Sequence, residues 1–179
     1  MILRETEIER VCIVEPQPLE DARGFFARTW DTREFAERGL NGSLVQCSIS
    51  FNPVAGTLRG LHWQAPPHEE AKLIRCTRGA IFDVAVDLRS NSPTFKRWVA
   101  VELSAENRLG FYIPEGCAHG FLTQTEDAEV LYLISQFHEP AAARGVRWDD
   151  PAFAIEWPTA VVVINERDRA YSDFEAKPE

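Results

Sequence analysis

The chain has 179 residues, 45% of them apolar and 26% charged, which suits one soluble core and is short for two. Its formal net charge of −9 argues against nonspecific nucleic-acid binding, which needs a basic face, yet a few converging arginines can still hold a small anion. No apolar run nears the ~20 residues of a membrane span, and the opening MILRETEIERV carries charges where a secretion signal needs an apolar core, so a cytoplasmic protein without a membrane partner is expected.

In chain order, Val11 to Val14 reads as a first short strand, closed by the turn-rich PQPLEDARG. Gly24 to Trp30 is aromatic and β-favouring. Asp31 is placed to cap a short helix over Thr32 to Arg38, Glu34 to complete a capping box, and Gly39 to end it. Ser43 to Phe51 is a strand with Leu44, Gln46, Ser48 and Ser50 on one face, either lining a cavity or solvated. Further strands follow at close spacing over Gly56–Gln64, Ala71–Thr77, Ala80–Leu88, Phe95–Leu103, Leu109–Ile113, Gly120–Thr125 and Glu129–Phe137. About ten short strands with turn signals every ~8–12 residues imply an all-β sandwich or barrel. No repeat or linker divides the chain, so residues 1–179 are expected to form one domain. The tail holds Val161 to Ile164 and then Asn165 to Arg169, suggesting a last strand with a short helix packed on the barrel. The four cysteines (Cys12, Cys47, Cys76, Cys117) form no CxxC pair and read as reduced, mostly buried small residues.

The stretch from Gly56 to Cys76, GTLRGLHWQAPPHEEAKLIRC, concentrates chemistry. If it is extended, Leu58, Gly60 and His62 share one face, and Pro66–Pro67 interrupt the pairing. Lys72 then shares an inward face with Ile74 and Cys76, costly for an ammonium without a partner or a task. Lysine is scarce here: Lys72, Lys96 and Lys177 stand against sixteen arginines.

His62 is a candidate general base, if a carboxylate fixes its tautomer; Asp168 is the candidate for that carboxylate. His119, in PEGCAHGF, follows a turn that can deliver it to a barrel mouth. Tyr132 lies between apolar neighbours and reads equally as core. Arg23 and Arg59 each sit beside a glycine, which lets a phosphate approach a guanidinium fork, or each forms an ordinary surface ion pair. Metal-binding barrels commonly carry an HxH pair; here the stretch is LHWQ, so neither a metal nor another cofactor is expected.

At RGLHWQ, with IFDVAVDLR, SPTF, LSAEN, PEGCAHGF, RWDDP and EWP downstream, the sequence resembles the dTDP-4-dehydrorhamnose 3,5-epimerase family from about Asp21 to Asp168. The resemblance implies a cupin-type double-stranded β-helix, a jelly roll with one or two short helices, and a metal-free homodimer that exchanges N-terminal strands. It implies that His62 is the base, Asp168 its partner, Tyr132 the acid and Lys72 the group that stabilises an enolate. It places Arg59 and Arg23 on the diphosphate, Arg23 from the other subunit, and Phe26, Arg28, Gln46, His119 and His138 along the nucleotide-sugar pocket. Arg28 stands where the family commonly has a thymine-contacting glutamate, Cys47–Ser48 depart from its QDN-type strand, and Phe137–His138 replace a tandem aromatic pair. The resemblance therefore implies cofactor-independent epimerisation of a nucleotide-linked 4-keto-6-deoxy sugar at C3 and/or C5, of the dTDP-4-dehydro-6-deoxyglucose to dTDP-4-dehydrorhamnose type, while these departures raise the expectation of another base. The alternatives are a single-centre epimerase or ketoisomerase on a CDP- or GDP-linked ketosugar, and a sugar-nucleotide-binding cupin without catalysis.

Overall fold

The computed structural model describes residues 1–175; Lys177 lies outside them. The strands are β1 (Ile2–Glu5), β2 (Cys12–Glu15), β3 (Leu19–Asp21), β4 (Gly24–Phe26), β5 (Gln46–Asn52), β6 (Leu58–Gln64) and β7 (Lys72–Arg78). After them come β8 (Ala80–Asp87), β9 (Trp98–Ser104), β10 (Gly110–Ile113), β11 (Cys117–Thr123), β12 (Ala128–Ile134) and β13 (Ala143–Gly145). Two short helices, α1 (Thr32–Ala36) and α2 (Glu166–Arg169), complete the set.

The strands form a six-stranded sheet in the order β1-β2-β10-β7-β12-β5 and a five-stranded sheet in the order β13-β6-β11-β8-β9, with β3–β4 as a separate hairpin. Apart from the consecutive pairs β1–β2 and β8–β9, neighbouring strands in the two sheets are distant in sequence, and all the named ladders are antiparallel, the crossing pattern of a cupin jelly roll. Ile74, Cys76, Ile81, Phe111, Phe121 and Val130 fill the space between the sheets. Phe35 of α1 packs with Leu73 and Tyr112 on the outside of the larger sheet. Val146 and Phe153 cover Leu61, Val84 and Val86 on the outside of the smaller one. Central strands are therefore buried on both faces, which explains runs such as Val84–Ala85–Val86, all fully buried.

Asp31 caps α1 as expected, its carboxylate accepting from the amides of Arg33 and Glu34. The capping box does not form: the Glu34 carboxylate meets the Met1 ammonium at 3.3 Å instead. The strand expected over Gly24–Trp30 stops at Phe26. Val161–Ile164 supplies one parallel bridge, Thr57 to Val163, in place of a full strand, and α2 follows as expected.

The expected alternation in β6 is overturned. The ladder to β11 pairs His62 with His119 but Arg59 with Phe121, so the register slips between them. This bulge turns Arg59 and His62 to the same cavity, while Leu61 joins the outer cluster. Gly60 makes it possible. Its φ is +117°, and a Cβ there would lie 2.6 Å from the Gly120 Cα and 2.7 Å from the His119 carbonyl oxygen.

Candidate active site

The two sheets enclose a cavity at one end, in adjoining lobes of about 350 and 260 Å³ that share His62, Lys72, Tyr132 and Arg167. The smaller sheet supplies His62 and Arg59 from β6 and His119 from β11. The larger sheet supplies Lys72 from β7 and Tyr132 from β12, with Gln46, Ser48 and Ser50 from the polar face of β5. The Lys72 ammonium donates to the His62 carbonyl at 3.4 Å and so spans the two walls.

Asp168 is brought to His62 across 106 residues, its carboxylate 2.7 Å from Nε2. The Asn165 side chain caps α2 and fixes the Asp168 amide at 2.7 Å, and the Gly60 amide donates to the other Asp168 oxygen at 3.1 Å. Burial pushes the Asp168 carboxyl upward, but the hydrogen bond and charge of His62, the Gly60 amide and Arg167 outweigh it and hold the group below the usual carboxylate range. An ionised carboxylate at that distance requires an Nε2–H donor, which leaves the lone pair on Nδ1. Arg167 stands 3.3 Å from the same Nε2. Since Nε2 already donates to Asp168, this guanidinium contributes charge to the dyad more than a hydrogen bond.

Lys72 is 9% exposed, and its ammonium pairs with Glu70 at 2.7 Å, the partner that a cation so buried needs. Beneath it lies a second His–Asp pair, His119 Nε2 to Asp83 at 2.7 Å. Asp83 is fully buried, and one of its oxygens has no hydrogen-bond partner. Burial pushes its carboxyl up against the opposing pull of His119 and Lys72. The Tyr132 hydroxyl lies 3.2 Å from the Ser50 hydroxyl. Burial pushes its pKa up to about 12, more than the Ser50 contact lowers it, so it is a protonated donor at neutral pH. Asn52 accepts from Arg59 Nε at 2.7 Å and orients that guanidinium.

Gln46 and His138 meet at the outer lobe, where the His138 amide donates to the Gln46 side chain at 2.7 Å. Arg23, Phe26 and Arg28 are not brought to this cavity. Arg23 is on the β3–β4 turn with its side chain 90% exposed, bound to Asp21. Phe26 is 69% exposed, and Arg28 pairs with Asp31 at 3.5 Å. The physical reason is that β3 and β4 pair only with each other and belong to neither sheet; Phe25 lies instead against Arg108, its ring 4.8 Å from the guanidinium. Glu70, Asp83, Arg167 and Tyr171 were missed by the sequence reading; of these, Asp83 carried a signal, as an acid on an inward position of the apolar run IFDVAVD. Among the described residues, no group of three or more His, Cys, Asp or Glu side chains is placed to hold a metal ion.

The model of the dTDP-4-dehydrorhamnose 3,5-epimerase family matches residues 5–176. This chain belongs to that family. It is 43% identical over 165 residues to the dTDP-4-dehydrorhamnose 3,5-epimerase of Shigella flexneri, covering 92% of this chain and 91% of the relative. It is similar to the crystal structure of dTDP-4-dehydrorhamnose 3,5-epimerase from Elizabethkingia anophelis, with TM-score 0.94, 40% identity, and coverage of 97% and 96% of the two chains. It also matches dTDP-6-deoxy-D-glucose-3,5-epimerase from Legionella pneumophila in complex with dTDP-4-keto-L-rhamnose, with TM-score 0.88, 37% identity, and coverage of 95% and 90%. Family membership makes the chain an isomerase of the epimerase type, built on the cupin fold that its topology already displays. Among the described residues, no helix is long and apolar enough to cross a membrane.

Proposed function

We propose that the chain inverts C3 and C5 of a dTDP-linked 4-keto-6-deoxy sugar, with His62, Asp168, Lys72 and Tyr132 as its catalytic set. The observation that carries this reading is the His62–Asp168 dyad at 2.7 Å on one wall of a cavity whose opposite wall holds Lys72 and Tyr132. His62 Nδ1 takes the proton from the carbon beside the ketone, and the electron pair moves onto the keto oxygen. The Lys72 ammonium stabilises the enolate, a preorganised contact typically worth ~3–4 kcal/mol. As the enolate collapses, Tyr132 delivers a proton to the same carbon from the other face, which inverts it. His62 then loses its proton to solvent, and Tyr132 regains one. Arg59, oriented by Asn52, suits a diphosphate oxygen.

Thymidine as the base is supported by the names of the relatives above, in place of the exchanged base that Arg28 and His138 suggested. Arg28 is engaged by Asp31, and His138 is at the rim with its amide on Gln46. We further propose that residues 1–179 act as one domain, in a homodimer whose N-terminal strands exchange. The exposed apolar side chains of the hairpin, Leu19 at 71% and Phe26 at 69%, support this. A cytoplasmic setting is supported by the free thiols of Cys12, Cys47, Cys76 and Cys117.

The test is proton NMR in D2O with dTDP-4-keto-6-deoxyglucose. Deuterium is expected at both C3 and C5. Deuterium at one carbon would restrict the chain to a single-centre epimerase. Exchange only on CDP- or GDP-linked ketosugars would overturn the thymidine assignment, and no exchange on any of them would favour a binding module.

A further inference from the structure

We propose, on the reading of His62 as the base, that Tyr171 is a positioning residue that holds the imidazole in its working orientation. Asp168 fixes His62 through one ring nitrogen, but a single hydrogen bond leaves the ring able to tilt about that contact. The Tyr171 ring meets the imidazole edge-on, with centroids 6.1 Å apart and planes at 72°, and it lines the same lobe.

The room for that ring has been made at one position. Gly145 on β13 pairs directly with His62 on β6. A Cβ on Gly145 would lie 2.2 Å from the Tyr171 Cε2 and Cζ and 2.7 Å from its hydroxyl. The three nearest atoms to that Cβ all belong to Tyr171, and Gly145 has no left-handed φ to explain a glycine otherwise. The glycine therefore matches the aromatic ring and not a backbone need.

The segment carrying Tyr171 is pinned on both sides. Before it, Asn165 and Asp168 are bound into the dyad. After it, the Phe174 amide donates to Asp150 at 2.5 Å, and the Phe174 ring packs on Phe153 at 5.3 Å. One C-terminal strap thus delivers two constraints to the base, a carboxylate at Asp168 and a ring three residues later.

The test compares Tyr171→Ala, Tyr171→Phe, Gly145→Ala and the double variant Gly145→Ala/Tyr171→Ala by deuterium exchange and by imidazole NMR. Tyr171→Ala is expected to lower kcat roughly 10- to 100-fold with KM nearly unchanged, the scale of a slightly misplaced catalytic group. Tyr171→Phe should stay within about twofold of wild type, because the ring and not the hydroxyl acts. Gly145→Ala should fall like Tyr171→Ala, and the double variant should be no worse than Tyr171→Ala alone, since the clash is then gone. A normal kcat in Tyr171→Ala, a change confined to KM, or a Phe variant as poor as the Ala variant would overturn the proposal.

The second readout needs no substrate. The His62 ring resonances, assigned by their loss in His62→Asn, should form one sharp set in wild type and Tyr171→Phe, and a broadened or doubled set in Tyr171→Ala. One sharp set in all three would overturn the positioning role. Failure of wild-type exchange would count against the epimerase reading, while the resonances would still decide the role of Tyr171. Should Tyr171→Ala not fold, Gly145→Ala moves the ring without removing it and decides the question alone.

Discussion

Tyr132 and His62 divide the proposed reaction between two walls, and that division can be separated experimentally. Burial pushes the Tyr132 pKa up to about 12, so the hydroxyl is protonated at neutral pH and, in the proposed reaction, donates while His62 on the facing sheet accepts. Tyr132→Phe removes the donor and leaves the base, Asp168 and Lys72 in place. We expect inversion to fall by roughly 10²–10⁴-fold, the usual contribution of one general acid, while exchange of the proton facing His62 persists. The check is to follow deuterium incorporation and product stereochemistry in the same sample; normal inversion would place the acid elsewhere. At this scale the sequence was legible where a residue type conflicted with its surroundings. Lys72 in an apolar strand and Arg59 beside a glycine both stood out. Glu70 did not, because its importance comes only from the 2.7 Å contact its carboxylate makes with the buried Lys72 two residues on. Asp168 was a plausible partner by type, but its meeting with His62 over 106 residues depends on the tail returning to β6.

Strand β6 shows how an element can carry the right residues and still contradict its own periodicity. Simple alternation puts Arg59 and His62 on opposite faces, yet the site needs both in one cavity. The bulge resolves this, and it depends on β6 and β11 approaching closely at Gly60 and Gly120. Gly60→Ala would introduce a side chain at φ +117° and 2.6 Å from the Gly120 Cα. The conformational cost alone is ~1–3 kcal/mol, and the backbone contact adds to it. For a chain of this size that corresponds to a melting temperature lower by roughly 2–12 °C, with activity lost even in the folded fraction because Arg59 and His62 no longer converge. Thermal unfolding followed by circular dichroism checks the first part, and an unchanged Tm would show that the ladder absorbs the methyl by moving apart. The long central strands were legible because burial on both faces leaves apolar runs. The three- and four-residue strands β1, β3 and β13 were not, since each is too short to show a period and is defined by the strand it pairs with.

For the molecule as a whole, the unresolved distance is between the cavity and the hairpin that carries Arg23. Within one chain Arg23 is occupied by Asp21 and stands in solvent, while Arg59 is oriented at the cavity by Asn52. If strand exchange delivers Arg23 of the partner subunit to the diphosphate, the two arginines of a site come from different chains. This can be tested by complementation, without any structure of the dimer. Arg23→Ala lacks the hairpin cation, and His62→Asn lacks the base; each homodimer should be poorly active. Co-expressed in equal amounts, half of the dimers are mixed, and in each mixed dimer one site combines an intact His62 with an intact Arg23 from the other chain. Activity should return to about a quarter of wild type, as two-fold symmetry requires. If Arg23 acted within its own chain, every site would keep one defect and nothing would be regained. Light scattering on the same preparations supplies the premise, because a monomer at micromolar concentration would remove the exchange altogether and leave Arg59 to bind the diphosphate alone.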